Sequence, residues 1–292
     1  MIISHHNYSN GTKELIIRHS SGQEIRLLSI GATLRRWLTD DGIDIVAGYD
    51  SMDDYGLPGM FLGTNVGLVA GRLENSQFSI HGKHYQLHSH SESFLHGGDE
   101  SIAFRQFDDS IVKNDEDETI IEFRHTYQNP LLPGIQTLLI TYFIKLNQLS
   151  VIYDVTSTEP CLCNITNHSY FNLEGTFHKP IENHILWLSA SNVVEVDDRM
   201  IGRIILPVEN TPFDFTQSSI IMDRVNEIKK SHSKTKGIDH FFVLNGDKKN
   251  PTIKLSSTTS RKTLSITTDY PGVTVYTTNY PSLKKLHNHY PV

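Results

Sequence analysis

An all-β fold, one large antiparallel sandwich or barrel, is what this sequence predicts, and three observations carry the prediction. Short segments rich in Val, Ile, Thr, Tyr and Phe recur between turn residues along the whole chain of 292 residues. Helical periodicity is confined to one stretch. No Pro/Ser-rich linker, composition break or repeat of fixed period divides the chain, so residues 1–292 read as a single domain.

The expected strands, in order, are residues 14–18, 24–29, 77–80, 119–125, 136–145, 149–155, 252–255, 264–267 and 273–277. Each is a run of β-branched and aromatic residues bounded by turn formers. Ser21-Gly22, His81-Gly82-Lys83 and Asn245-Gly246-Asp247 read as hairpin turns. The one helix expected is 219–230, where Ile221, Val225 and Ile228 share a face and Ser218 or Ser219 supplies an N-cap.

Composition narrows the function. Lys plus Arg is 26 and Asp plus Glu is 33, a formal charge of −7, which disfavours nucleic-acid binding on a broad basic face. Aromatic residues make up 9% of the chain, too many for a solvated disordered polymer. The first residues lack a basic stretch followed by an apolar run, and no apolar run approaches the ~20 residues of a membrane span. The only cysteines, Cys161 and Cys163, lie too close in sequence for a good disulfide and suit the reducing cytoplasm.

Four segments concentrate chemistry. In Asn164-Ile165-Thr166-Asn167-His168-Ser169-Tyr170-Phe171-Asn172-Leu173, a strand puts Thr166, His168, Tyr170 and Asn172 on one face, a hydrogen-bonding row suited to a polyhydroxylated ligand or simply to solvent. Phe94-Leu95-His96-Gly97-Gly98 displays an imidazole at a tight bend. Gly237-Ile238-Asp239-His240 sets Asp239 at the start of an apolar strand, and Ala70-Gly71-Arg72 offers a guanidinium with paired donors. A structural role remains open for each: exposed turn, turn carboxylate, surface charge.

Other chemistries find less support. His84, His88, His90 and His96 cluster in sequence, and His88-x-His90 with Glu92 faintly resembles the metal pattern of cupin barrels, but that Glu is too close and no second ligand segment follows. Phosphate-binding glycine motifs, the dinucleotide fingerprint and the serine nucleophile elbow are all missing from the sequence, so no cofactor is expected.

Taken together and in order, these segments resemble the aldose 1-epimerase, or galactose mutarotase, family. Thr166 to Leu173 is similar to that family's T-N-H-x-Y-F-N-L strand, Leu95-His96-Gly97-Gly98 to its L-H-G-G turn, and Gly237-Ile238-Asp239-His240 to its G-x-D-H segment. Asn65-Val66-Gly67 through Arg72 corresponds to V-G-R-x-A-N-R, Leu206 to Phe215 to L-P-V-x-G-T-P-F-D-F, and Tyr276 to Tyr280 to Y-T-G-N-F. The resemblance implies a mutarotase-like β-supersandwich, monomeric or homodimeric and cytoplasmic, acting without cofactor or metal on galactose or glucose. It assigns His168 as the acid at the ring oxygen and His96 as a sugar-binding partner in proton transfer. Arg72, Tyr170 and Asp239 would hold hydroxyls.

Two departures stand out. Leu68 replaces the first Arg of the V-G-R-x-A-N-R run and Gly71 its Asn. The family's base is a Glu in a C-terminal L-E-x-Q segment, whereas residues 281–292 contain neither Glu nor Asp. The expectation is a truncated epimerase, or a relative that binds sugar without turnover, or His287 or His289 as substitute base. An incomplete sandwich would leave a sheet edge open and lower stability.

Overall fold

The computed structural model describes residues 1–87, 94–175, 181–231, 235–246, 250–280 and 286. Its described part forms two compact units, 1–175 with Leu286, and 181–280.

The first unit opens with the antiparallel meander β1 (Ile2–Asn7), β2 (Lys13–Arg18), β3 (Glu24–Leu28) and β4 (Thr33–Leu38). Short strands β5 (Asn65–Val66) and β6 (Arg72–Leu73) follow, then the hairpin β7 (Gln77–Ile80) and β8 (Lys83–Gln86), and β9 (Phe94–Leu95), which pairs with β6. A second meander comprises β10 (Asp108–Asn114), β11 (Thr119–Tyr127), β12 (Gln136–Lys145) and β13 (Gln148–Ser157), and β14 (Thr166–Asn167) returns to pair with β5.

Alternation explains why these are strands. In β12, Leu138, Ile140, Tyr142 and Ile144 are buried, one face of a period-two pattern, and β11 adds Ile121 and Phe123. The first meander buries Leu15, Ile17, Ile25 and Leu27. Each such side chain stabilises by roughly 1.5–3 kcal/mol on burial. The meanders are tied by the Tyr142 hydroxyl, which donates to the Ala32 carbonyl at 2.6 Å, and by Gln23, which donates to the Lys145 carbonyl at 3.0 Å. Glu14 is buried and accepts hydrogen bonds from Arg35 at 2.7 Å and from the Tyr8 hydroxyl at 3.0 Å, the pairing that a buried carboxylate requires.

The second unit contains β15 (His184–Leu188), β16 (Ala190–Val196), β17 (Gly202–Pro207), β18 (Ser219–Ile220), α1 (Ile221–Ser231), β19 (Asp239–Leu244), β20 (Ile253–Ser257), β21 (Thr263–Ile266) and β22 (Gly272–Tyr276). They form two four-stranded sheets, ordered β18-β15-β20-β21 and β17-β16-β19-β22. Leu186, Leu188, Phe213, Phe215 and Phe242 meet Ile221, Val225 and Ile228 of α1 in its core.

All nine expected strands are present within a residue or two, and β7 and β8 join through His81-Gly82 as a two-residue hairpin. Two expectations are corrected. The helix starts at Ile221 instead of 219, because Ser219 and Ile220 pair with Leu186 and Ile185 in a sheet. Asn245-Gly246 is not a hairpin turn: β19 ladders with β16 and β22, and β20 belongs to the other sheet, while Asp247 lies outside the described residues. Among the described residues, no helix is long and apolar enough to cross a membrane.

Candidate active site

Residues 164–173 do not make the continuous strand their pattern suggests. Thr166 and Asn167 ladder with Val66 and Asn65, after which the Asn167 side-chain oxygen accepts the Ser169 amide at 3.1 Å and turns the chain. The expected row of four is thereby broken. Thr166 is exposed and Asn172 is buried, its oxygen accepting the Glu174 amide at 2.9 Å. What remains together is His168 and Tyr170, with ring centroids 5.2 Å apart.

His168 is held from both sides of its backbone. Its amide donates to Thr64 at 2.8 Å and its carbonyl accepts from Gly63 at 3.0 Å. Beneath it lies Asn65, fully buried, whose side-chain amide donates to the carbonyls of Gly31 at 3.0 Å and Ala32 at 2.7 Å. The Asn65 side-chain oxygen accepts from the Tyr153 hydroxyl at 2.8 Å and from Asn167 at 3.3 Å. Such a satisfied network fixes one backbone path for the His168 segment.

His96 sits at a bend, as its sequence suggests. His96 and Gly97 have φ of +53° and +93°. Position 97 must be glycine, because a Cβ there would collide with the Gly67 carbonyl oxygen. The loop is clamped to β6: the His96 amide donates to the Gly71 carbonyl at 3.0 Å, and the Gly71 amide donates to Nδ1 of the His96 ring at 3.1 Å.

These loops bring the two imidazoles into edge-to-face contact, with centroids 5.1 Å apart and planes at 86°. Phe61 packs against both, 5.3 Å from His96 and 6.1 Å from His168, and stacks on Phe104 at 5.7 Å. Each imidazole retains some surface. Tyr170 is half-buried against the cluster containing Tyr49 and Tyr55, and Arg72 is exposed, one residue from Gly71 on β6.

This apolar setting decides the protonation state. Burial lowers the His96 pKa to about 3, helped by repulsion from His168 when that ring is protonated and by the Arg72 cation, and burial lowers that of His168 to about 4. Among the described residues, no carboxylate acts on either ring. At neutral pH both imidazoles are uncharged, each offering one N–H donor and one acceptor nitrogen.

Of the five expected site residues, His96, His168, Tyr170 and Arg72 belong to this cluster. Asp239 opens β19 in the second unit, opposite Tyr276. Its loop is fastened by Asn279, which donates to the Ile238 carbonyl at 2.9 Å, and by the Thr277 hydroxyl, which accepts the Ile238 amide at 3.0 Å. Phe61, Asn65 and the Gly71 amide were not anticipated. Phe61 lies four residues before Asn65, at the start of the Asn65 to Arg72 run, and that proximity is the signal the sequence offers for its place. Cys161 and Cys163 are free thiols. Among the described residues no group of three His, Cys, Asp or Glu side chains converges as a metal site, and His88 and His90 lie outside them.

Comparison with known proteins gives consistent results. Residues 13–290 match the sequence profile described as Aldose 1-epimerase. The aldose 1-epimerase of Escherichia coli K12 is 30% identical over 275 residues, covering 91% of this chain and 78% of that protein. The galactose mutarotase of Rattus norvegicus is 28% identical over 279 residues, covering 92% and 79%. The crystal structure of galactose 1-epimerase from Lactobacillus acidophilus NCFM superposes with a TM-score of 0.83 at 27% identity, covering 96% of this chain and 83% of that one.

Proposed function

The chain belongs to the aldose 1-epimerase family, and we propose that it interconverts the α and β anomers of a free aldohexose such as galactose or glucose. The observation that carries this reading is the contact of the His168 and His96 rings, 5.1 Å apart, on the two segments most similar to the family's motifs. The profile spans both units, in keeping with one family domain over 1–292. Two unpaired thiols suit the cytoplasm.

Mutarotation requires a proton at the ring oxygen and removal of one from the C1 hydroxyl, then rotation about C1–C2 and reclosure with the roles exchanged. His168 is the acid in this scheme, with its ring held at the end of the β14 segment. His96 binds a sugar oxygen beside it. Arg72 and Tyr170 supply further polar contacts, and Asp239 carries over as a hydroxyl ligand on the resemblance alone. The aromatic faces of Phe61 and Tyr170 suit the C–H face of a pyranose.

An uncharged His168 must acquire its proton before it can act as an acid. A carboxylate base nearby would raise its pKa toward neutrality, and none among the described residues acts on it. That observation favours one second reading, sugar binding without turnover. Polarimetry of freshly dissolved α-D-galactose or α-D-glucose decides between them. Relaxation faster than buffer, lost in His168→Ala with the fold retained, is the expected result. Relaxation at the buffer rate alongside calorimetric galactose binding selects the second reading.

A further inference from the structure

We propose that the backbone amide of Gly71 fixes His96 as its Nε2–H tautomer, so that His96 is a standing hydrogen-bond donor to a sugar oxygen instead of a proton carrier. This rests on the proposed function for the identity of the acceptor, but the tautomer itself follows from geometry. The Gly71 N–H points at Nδ1 from 3.1 Å, and an N–H can only donate, so Nδ1 must hold a lone pair. A neutral ring with Nδ1 unprotonated carries its hydrogen on Nε2. Protonating Nδ1 would set two donors head to head and lose the bond.

The arrangement is over-determined. Gly71 and His96 exchange two bonds, one through the ring and one through the backbone, and Arg72 pairs with Leu95 in the adjoining ladder position. Phe61 and His168 pack on the ring and restrict its rotation. The titratable and charged groups facing it are His168 and Arg72: the Arg72 guanidinium repels a positive charge there at neutral pH, and a protonated His168 adds to that repulsion in acid. No described group rewards the imidazolium form.

Position 71 is built for this task. Gly71 has φ +80°, the left-handed region, with open space where a Cβ would stand. Glycine and asparagine both adopt that conformation readily, whereas a β-branched residue does not. The replacement of the family's Asn by Gly71 therefore preserves the amide direction while altering the side chain. Gly71 acts as a positioning residue through its main chain.

The test uses the full chain with ring-15N histidine and long-range proton–nitrogen NMR, with the His96 signals identified by their loss in His96→Gln. An Nε2-protonated, Nδ1-bare ring that does not titrate between about pH 5.5 and 8 is expected. Gly71→Asn should keep that signature and Gly71→Val should mix the tautomers. A protonated Nδ1, or titration in that range, overturns the proposal. The donor role is read from D-galactose affinity. His96→Gln, whose amide N–H stands near Nε2, should stay within about tenfold of the parent, and His96→Asn should fall further. Equal losses refute the donor role. A parent that binds no galactose overturns that role together with the proposed function, while the NMR readout still judges the tautomer separately.

Discussion

Replacing His168 with Asn should make the protein markedly less sensitive to acid. The reason lies in where the proton prefers to bind. In the folded chain the His168 pKa is about 4, whereas the unfolded chain presents an ordinary imidazole near 6.5. Between those values the unfolded state takes up a proton that the folded state refuses. Acid therefore pulls the equilibrium toward unfolding. The contribution is fully present above about pH 6.5, erodes as the pH falls, and is exhausted below about pH 4. At pH 4.5 a shift of this size removes about 2.5 kcal/mol relative to pH 7.5, since each pKa unit is worth about 1.4 kcal/mol. The ring keeps an edge on solvent, and water there shields part of the cost, so about 1–2.5 kcal/mol is the range to seek.

Urea unfolding at the two pH values, followed by tryptophan fluorescence, measures it for parent and variant. Carboxylates titrate in both proteins and cancel in the difference. His168 lowers the His96 pKa only where His168 is itself protonated, so any coupling that its removal relieves at the acid end acts in the same direction. The parent should lose at least about 1 kcal/mol more than His168→Asn between pH 7.5 and 4.5. Equal losses would mean that His168 is not held neutral by its surroundings, and the description of the apolar two-imidazole site would fail with it.

Other substitutions probe the supports of the site. Asn65→Leu removes the side-chain hydrogen bonds to the Tyr153 hydroxyl, Asn167 and the Gly31 and Ala32 carbonyls from a fully buried site, and should cost about 2–4 kcal/mol in chemical denaturation. Phe61→Ala should raise the pKa of both imidazoles toward 6.5, visible in histidine ring NMR, while costing less than the roughly 3–5 kcal/mol of a fully buried phenylalanine, because Phe61 is only partly buried. Gly97→Ala collides with the Gly67 carbonyl and should displace His96, so that galactose affinity measured by calorimetry falls by at least about tenfold even where the melt stays cooperative. Glu14→Ala leaves the largely buried Arg35 cation without its closest partner and should destabilise by about 3 kcal/mol, with little change in the histidine pKa values.

Much of this molecule is legible in its sequence because the strands obey local rules. The alternation of Leu138, Ile140, Tyr142 and Ile144 needs no partner to be recognised, and neither does the bend at His96-Gly97-Gly98. The failures are where a distant partner overrides a local preference. Ser219 has the makings of a helix cap, yet it is claimed by Leu186 across a ladder. The row from Thr166 to Asn172 has strand periodicity, yet Asn167 finds Asn65 and Gly63, a hundred residues earlier, and turns the chain at Ser169. Sequence alone thus determined the β architecture, the family and the identity of the histidines, since these rest on side-chain type and spacing. Only the tertiary structure decided what those histidines are. Their neutral state, their edge-to-face contact and the tautomer of His96 depend on Phe61, Arg72 and the Gly71 amide. Those groups lie remote along the chain, and only folding places them within a few ångströms.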